Sequence, residues 1–366
     1  MSPEDQHALE LVDRSDALRG ASVVSVEPLA GDMSTRRFFR VHLKNSAAQS
    51  AIFMILSGAS GPVGGGDRAL TQDDTYVEVG NYLRAHGIRV PLLYADDRAR
   101  GALLIEDVGT TSLLDVSQDR AKLPQQISTA LGSDPLKSLF AKALEIQKAL
   151  ADLPHDKQVV IFQRRTTPQQ RATQIREFLD HYARPRGLSQ HDSGVVERLM
   201  DEVCARVESH PKQVSHFDYM ASNIHILSGG ELCLIDFQDM CLDSPARDVV
   251  SLLNDRDADS TLGRDRQQEL LALFMRDINR HPNFPSLYDE YLLLWDFRVA
   301  GRFALLSEQR GIARYGAWLP GTVRRLGRTL SRVRASFPHA DEALRALQAF
   351  SPIIKEGSED PWGGIR

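Results

Sequence analysis

The chain has 366 residues, 42% hydrophobic and 25% charged, with a formal net charge of −5. That length and apolar content suffice for a sizeable core spread over roughly two domains or lobes, and the slight acidity argues against a general nucleic-acid-binding role. Three cysteines, Cys204, Cys233 and Cys241, match no zinc spacing and are too sparse for a disulfide framework, so they read as small buried hydrophobes. The N-terminus lacks a basic start followed by an apolar run. The longest apolar stretches are strand-sized, short of the ~20 residues that span a bilayer. The expectation is a soluble, cytoplasmic protein without a membrane partner.

In chain order, residues 5 to 19 read as a short amphipathic helix with Leu9 and Val12 inward. The period then changes. "SVVSVEPLA", "RFFRVHLK" and "AIFMILS" are β-rich, with "GDMST" as a hairpin tip between the first two and the Gly-rich "GASGPVGGGDRALTQDD" after the third. A helix is expected over about 74–87, with Tyr76, Val79, Tyr82 and Leu83 on one face, followed by strands at "PLLYADD" and "GALLIEDV". One helix on one antiparallel sheet makes a small α+β lobe. Beyond Gly109 the pattern is mostly helical, as in Leu136, Leu139, Phe140, Ala143, Leu144 and Leu150. Two short strands, "NIHIL" and "LCLIDF", interrupt it. In "SPARDVVSLL", Ser244 can cap a helix with Pro245 at its first position. Residues 264–349 read as helical with breaks near "RHPNFPS" and "WLPG", and the tail is expected to be loosely held. The expected organisation is an N-terminal lobe over 1–108, a helical C-terminal lobe over 109–351 and a tail over 352–366.

The chemistry concentrates in "HFDYMASNIHIL" and the "IDFQD" that follows it. Asp218 sits in a loop just before a strand, Asn223 comes five residues later, and Asp236 ends the next strand. The hairpin returns the chain so that Asn223 and Asp236 lie close together. That provides one carboxylate free to act as a base, plus an amide oxygen and a second carboxylate, both hard ligands suited to Mg²⁺. Phosphoryl transfer needs this equipment. His216 reads as a brace of the loop, and Asp248, early in a helix, as an acceptor of hydrogen bonds from it. Alone, a motif of this length is as easily explained by loop-forming residues beside strands. The second motif, the preceding β-rich lobe and "LLIEDVG" at a hinge position favour catalysis.

With those motifs, the chain resembles the aminoglycoside phosphotransferase / choline kinase superfamily, and within it the bacterial anomeric kinases of N-acetylmuramate and N-acetylglucosamine. The matching stretches are "GDMSTRRFFRV", "GIRVPLLYADDRARGALLIEDVG", "HFDYMASN", "LIDFQDMCLDSPARDVVSLL" and "FRVAGRFALL…RYGAWLPGTVRRL", from about residue 30 to 330. The resemblance implies a protein-kinase-like, two-lobed α+β fold with a small β-rich N-lobe and a larger helical C-lobe. It implies ATP and Mg²⁺ as cofactors, Asp218 as catalytic base, and Asn223 and Asp236 as metal ligands. Glu106, Asp107 and Val108 would carry adenine through backbone groups, and Gly31 to Thr35, including Ser34, would form the loop over the phosphates. The superfamily's phosphate-binding Lys on the third strand is replaced by Met54, so Arg36, Arg37 and Arg40 are the candidates for its charge. Alternation puts Arg36 and Arg40 on one side and Arg37 on the other. Phe217 stands where the sugar-kinase group usually has Arg, and Met220 to Ser222 also depart from its pattern.

Only 11 residues separate Asp236 from Asp248, too few for the activation segment of a protein kinase, so a small-molecule acceptor is expected. Between Arg298 and Arg334 there are nine Arg and one acidic residue, Glu308. A solvated basic face explains most of such a run. The sharper reading places Arg298 or Arg302 at the acceptor, with Tyr219 and Trp295 beside it, Arg pairing with a carboxylate and Trp stacking on a sugar. The leading acceptor is an amino sugar of cell-wall recycling. The alternatives are choline, an aminoglycoside or another amino alcohol, or a nucleotide-binding pseudokinase.

Overall fold

Short runs of β-branched and aromatic residues in the first hundred positions build one sheet. The structure is a computed structural model that describes residues 2–29, 36–59, 70–256 and 258–359. The expected phosphate loop, with Gly31, Ser34 and Thr35, lies outside the described residues. The chain divides into two compact units: Met1–Leu113, His155–Arg164 and Ser222–Met240 in the first, and Leu114–Pro154, Arg165–Ala221 and Cys241–Arg366 in the second. The first therefore takes in segments well beyond residue 108.

The first unit opens with helix α1 (Pro3–Arg14), which Ser2 and Asp5 cap reciprocally with Pro3 at the first position. It stops at Arg14, earlier than expected, because Ser15 turns the chain into a 3₁₀ turn at Asp16–Leu18. Strands β1 (Ser22–Leu29), β2 (Arg37–Lys44), β3 (Ser50–Ile55), β4 (Leu93–Asp97) and β5 (Ala102–Glu106) form an antiparallel sheet in the order β1-β2-β3-β5-β4. Ala8, Leu11 and Val12 of α1 close over Val41, Ala51, Phe53 and Leu104, a dry core of alternate strand residues. Helix α2 (Gln72–Ala85) begins in a second capping box, Thr71 with Asp74. The hairpin Ile224–Ile226 with Leu232–Leu234 also belongs to this unit.

The second unit is helical apart from the short pair Gln213–Ser215 with Cys241–Asp243. Helix Pro135–Ala151 buries Leu136, Leu139, Phe140, Ala143, Leu144 and Leu150, the residues its spacing marks. Helix Arg247–Asn254 starts later than expected. Ser244 Oγ caps the turn before it by accepting from the Ala246 N–H at 3.2 Å. The "WLPG" break does not occur: Pro320 lies inside helix Arg314–Val333, exposed, so the ladder bond it deletes is on the solvent side. Residues 352–359, expected to be loose, form a helix with Ile354 fully buried. Its backbone crosses helix Arg314–Val333 so closely that a Cβ on Gly327 would meet the Ile354 carbonyl oxygen at 2.2 Å. No helix of the described residues is long and apolar enough to cross a membrane.

Candidate active site

The first unit holds the residues expected on the nucleotide side. Asn223 and Asp236 sit at the mouth of the hairpin: Ile224 pairs with Leu234, and the Ile235 N–H donates to the Asn223 carbonyl at 3.0 Å. Asp236 follows at once, exposed and in the left-handed region at φ 62°, a costly backbone for a residue with a side chain. Neighbours hold it there. Gln238 Nε2 donates to its Oδ1 at 2.8 Å, and Arg164 Nη1 donates to the Gln238 carbonyl at 3.1 Å. Phe237 stacks on Tyr76 of α2 with ring centroids 4.7 Å apart, and Gln72 Nε2 donates to Asp239 at 2.7 Å. Gly80 makes room, since a Cβ there would crowd the Phe237 ring at 3.2 Å. The sequence reading missed Gln72, Gly80 and Arg164. The apolar face of α2 singled out Tyr76 without its partner.

The arginines divide. Arg36 is buried, with Nε donating to Asp73 Oδ1 at 2.9 Å, and Asp73 also accepts from the Gly58 N–H at 2.9 Å. Arg40 instead turns to Asp107, Nε to Oδ2 at 2.6 Å, where Ser50 Oγ and the Gly109 N–H join it at 2.7 and 3.0 Å. Burial would push the Asp107 carboxyl up, but Arg40, Ser50 and Gly109 outweigh it and hold it below its ordinary value. Arg36 and Arg40 thus each lie against a carboxylate of the first unit, Asp73 and Asp107. Met54 is fully buried in β3 opposite Phe38 and Leu103. The Glu106 side chain accepts from Arg89 Nη1 and the Leu92 N–H at 2.8 and 3.0 Å. Val108, next along, is half-buried.

The second unit carries the Asp218 loop. Phe217 adopts φ 79°, and two anchors hold that strain. The buried Asp248 accepts from Ser215 Oγ at 2.6 Å and from the His216 N–H at 2.9 Å, while burial pushes its carboxyl above the ordinary value. Arg247 donates through Nε to the Phe217 carbonyl at 3.0 Å and lies over the Phe217 ring at 4.0 Å. Arg247 in turn donates to Asp243 and to the Tyr291 hydroxyl at 2.9 and 2.7 Å. Arg171 and Thr166 also donate to Asp243, at 2.8 and 2.9 Å. Burial works against ionised Asp243, but Arg247 and Arg171 win and hold its carboxyl below the usual range. Sequence reasoning missed Asp243, Arg247 and Arg171. The D-x-x-x-R spacing across "LDSPARD" was the available signal.

His216 is fully buried, edge-on to the Tyr219 ring at 5.6 Å. Tyr219, expected at the acceptor, is buried, and its hydroxyl donates to the Ala143 carbonyl at 2.6 Å, so it serves the core. Asp218 itself is half-buried and charge-coupled to Arg298, whose guanidinium burial makes less basic. Arg298 lies over the Trp295 ring at 5.3 Å and near the Phe217 ring at 6.0 Å. Trp295 is 3% exposed, and its indole N–H has no hydrogen-bond partner among the described residues. Arg302 is drawn away to Glu177 at 2.7 Å, so the Arg-rich run offers Arg298 rather than Arg302 beside Asp218.

Comparison with known proteins identifies the family and the fold. Two curated relatives carry the name N-acetylmuramate/N-acetylglucosamine kinase. The one from Pseudomonas putida is 24% identical over 344 residues, covering 89% of each chain. The one from Caulobacter vibrioides is 26% identical over 338 residues, covering 82% of this chain and 86% of its own. Among solved structures, a choline/ethanolamine kinase family protein from Mesorhizobium loti superposes with a TM-score of 0.54 at 15% identity, over 94% of this chain and 99% of that one. The ADP-bound aminoglycoside phosphotransferase APH(2'')-Ib gives a TM-score of 0.54 at 12% identity, over 87% and 97%. The fold is thus the protein-kinase-like one of these enzymes, here a five-stranded antiparallel sheet and a mainly helical remainder. The phosphotransferase enzyme family (APH) model matches residues 25–287, and the chain belongs to that family as a small-molecule kinase.

Proposed function

We propose that the protein moves the γ-phosphoryl of ATP to a hydroxyl of an amino sugar of the N-acetylmuramate/N-acetylglucosamine type, in the cytoplasm and in cell-wall recycling. The observation that carries this reading is the Asp218 loop, whose strained Phe217 turn is fixed by Asp248 and Arg247 with Arg298 close to the carboxylate. Asp218 orients the acceptor hydroxyl and takes its proton as the oxygen bonds to phosphorus. The bond from the γ-phosphorus to the bridging oxygen breaks, and ADP leaves.

The Asn223 amide and the Asp236 carboxylate form the small, hard oxygen set that suits an Mg²⁺ arriving with nucleotide phosphates. Bound there, the ion would neutralise charge on the phosphate oxygens. Backbone groups of Glu106 to Val108 receive adenine, their side chains being engaged elsewhere or apolar. Arg36, oriented by Asp73, or Arg40, oriented by Asp107, supplies the cation that Met54 cannot.

The relatives' names support an amino-sugar acceptor. Arg298, charge-coupled to Asp218, suits an anionic substituent and disfavours the cationic choline and aminoglycosides, whereas the buried Trp295 ring serves as packing under Arg298. A pseudokinase is disfavoured by the joint presence of Asp218, Asn223 and Asp236. The test is ADP release across a panel of N-acetylmuramate, N-acetylglucosamine, choline and aminoglycosides, with products identified by phosphorus NMR. Turnover confined to the cationic acceptors overturns the sugar reading. Nucleotide binding without turnover on any acceptor overturns the kinase reading.

A further inference from the structure

Helix Phe284–Ala304 carries Trp295, Arg298 and Arg302 at i, i+3 and i+7, one stripe of its surface. At Gly301 the helix crosses the backbone of Glu177 and Phe178, where a Cβ would meet the Glu177 carbonyl carbon at 2.3 Å. The crossing brings one acid, Glu177, to a stripe with several cations. Arg302, Arg298 and Arg310 all act on that carboxylate, and Arg302 takes it through Nη2 at 2.7 Å.

Arg298 is left over. It lies over the Trp295 ring and near the Phe217 ring, at 5.3 and 6.0 Å, and otherwise forms no hydrogen bond or ion pair among the described residues. It is half-buried, and none of its nitrogens is sealed from solvent. Burial, the charge of Arg247 and, more weakly, that of Arg302 lower its basicity, while Asp218 and Tyr291 oppose them. The Arg247 charge is matched by Asp243, and the Tyr291 hydroxyl accepts from Arg247. That leaves Asp218, which as the base must stay available to the acceptor hydroxyl. A guanidinium keeps its proton, so Arg298 is a cation with donors at the surface and no counter-ion of its own.

We propose that Arg298 determines specificity by pairing with a carboxylate on the acceptor, so that the enzyme prefers an acidic amino sugar of the N-acetylmuramate kind to its neutral counterpart. This rests on the amino-sugar reading above. A guanidinium packed against two rings presents its edge, and a planar carboxylate meets that edge with two parallel hydrogen bonds. The acceptor's carboxylate then becomes the counter-charge of Arg298 and leaves Asp218 to the hydroxyl. A neutral substituent leaves the cation unmatched in a half-buried place. Arg302 cannot take over the role, because Glu177 holds it next to the crossing at Gly301.

The test measures kcat and KM of the full chain, with ATP and Mg²⁺, for N-acetylmuramate and for its amide, in which a neutral carboxamide replaces the carboxylate. The wild type is expected to favour the acid about 10- to 100-fold in kcat/KM, chiefly through KM. Arg298→Gln should shrink that ratio to about threefold or less, and Arg298→Lys should keep part of it, since the charge survives and the fork does not. Arg302→Gln, one turn along the same stripe, should leave the ratio as it is. The wild-type ratio and Arg298→Lys keep the test decisive if Arg298→Gln does not fold. Equal turnover of the two acceptors by the wild type overturns the proposal and leaves the amino-sugar reading standing. So does an Arg298→Gln enzyme whose kcat falls equally on both, which would assign the guanidinium to the transferring phosphoryl. Turnover of neither acceptor overturns the amino-sugar reading and the proposal with it.

Discussion

Two arginine–carboxylate anchors, one in each unit, do similar jobs under different constraints. In the first unit Asp107 gathers Arg40, Ser50 and the Gly109 N–H after β5. In the second, Asp243 gathers Arg247, Arg171 and Thr166 beneath the Asp218 loop. The acids are about equally hidden, with side chains 6% and 0% exposed. The bases are not. Arg40 is 22% exposed, whereas Arg171 and Arg247 are 1% and 2% exposed. If its acid is lost, Arg40 can turn to water. Arg171 and Arg247 cannot, so the anchor in the second unit works only as a complete set.

The comparison can be sharpened in steps of decreasing size. The largest effect is expected where the second anchor delivers its product. Asp218→Asn should lower kcat about 10²–10⁴-fold while nucleotide affinity, measured by calorimetry, stays near wild type. Wild-type turnover in that variant would remove Asp218 from the role of base. Asp243→Ala should come next, destabilising the protein by about 3–5 kcal/mol in urea denaturation, because it strands two buried guanidinium groups. Asp107→Ala should cost only about 1–2 kcal/mol in the same measurement, since Arg40 rehydrates. Equal losses in the two variants would erase the distinction between the anchors.

The smallest effect is a pH dependence close to the second anchor. His210 hydrogen-bonds Ser244 and Glu290, each at 2.8 Å, and burial, more than any opposing effect of Glu290, lowers its pKa below the ordinary 6.5. Arg171 and Lys212 also press against its protonation. The unfolded chain then binds the proton more readily than the native one. This contribution to stability is complete above pH 6.5 and is lost as pH falls toward the native pKa. The melting temperature should fall with acidification over that window, and His210→Asn should flatten the slope. An unchanged slope in the variant would assign it to other groups.

How much of this was legible in the sequence depended on whether the signal was local. The five sheet strands and α2 were readable because period-2 runs, turn residues and a stop at Gly87 are written within a few positions. The hairpin that joins Asn223 to Asp236 was readable for the same reason. Partners distant in sequence were not. Nothing near Arg40 announces Asp107, 67 residues away, and nothing near Tyr76 announces that Phe237 will stack on it. Burial decided other cases. Tyr219, expected beside the acceptor, is core, because the Ala143 carbonyl is within reach of its hydroxyl. Pro320 suggested a helix break, yet in an exposed position its missing donor did not end the helix. The tail looked polar and unanchored because Gly327 and Gly357 mark a backbone crossing only when both sides are known.

The interleaving of the two units also has a consequence in time. The first unit is not complete when Leu113 leaves the ribosome, because its hairpin, Ser222–Met240, follows about a hundred residues later. At roughly 5–20 residues per second, the sheet waits on the order of ten seconds for the segment that carries Asn223 and Asp236. During synthesis the five-stranded sheet has therefore emerged well before the hairpin of its own unit, and Asn223 and Asp236 are among the last parts of that unit to arrive.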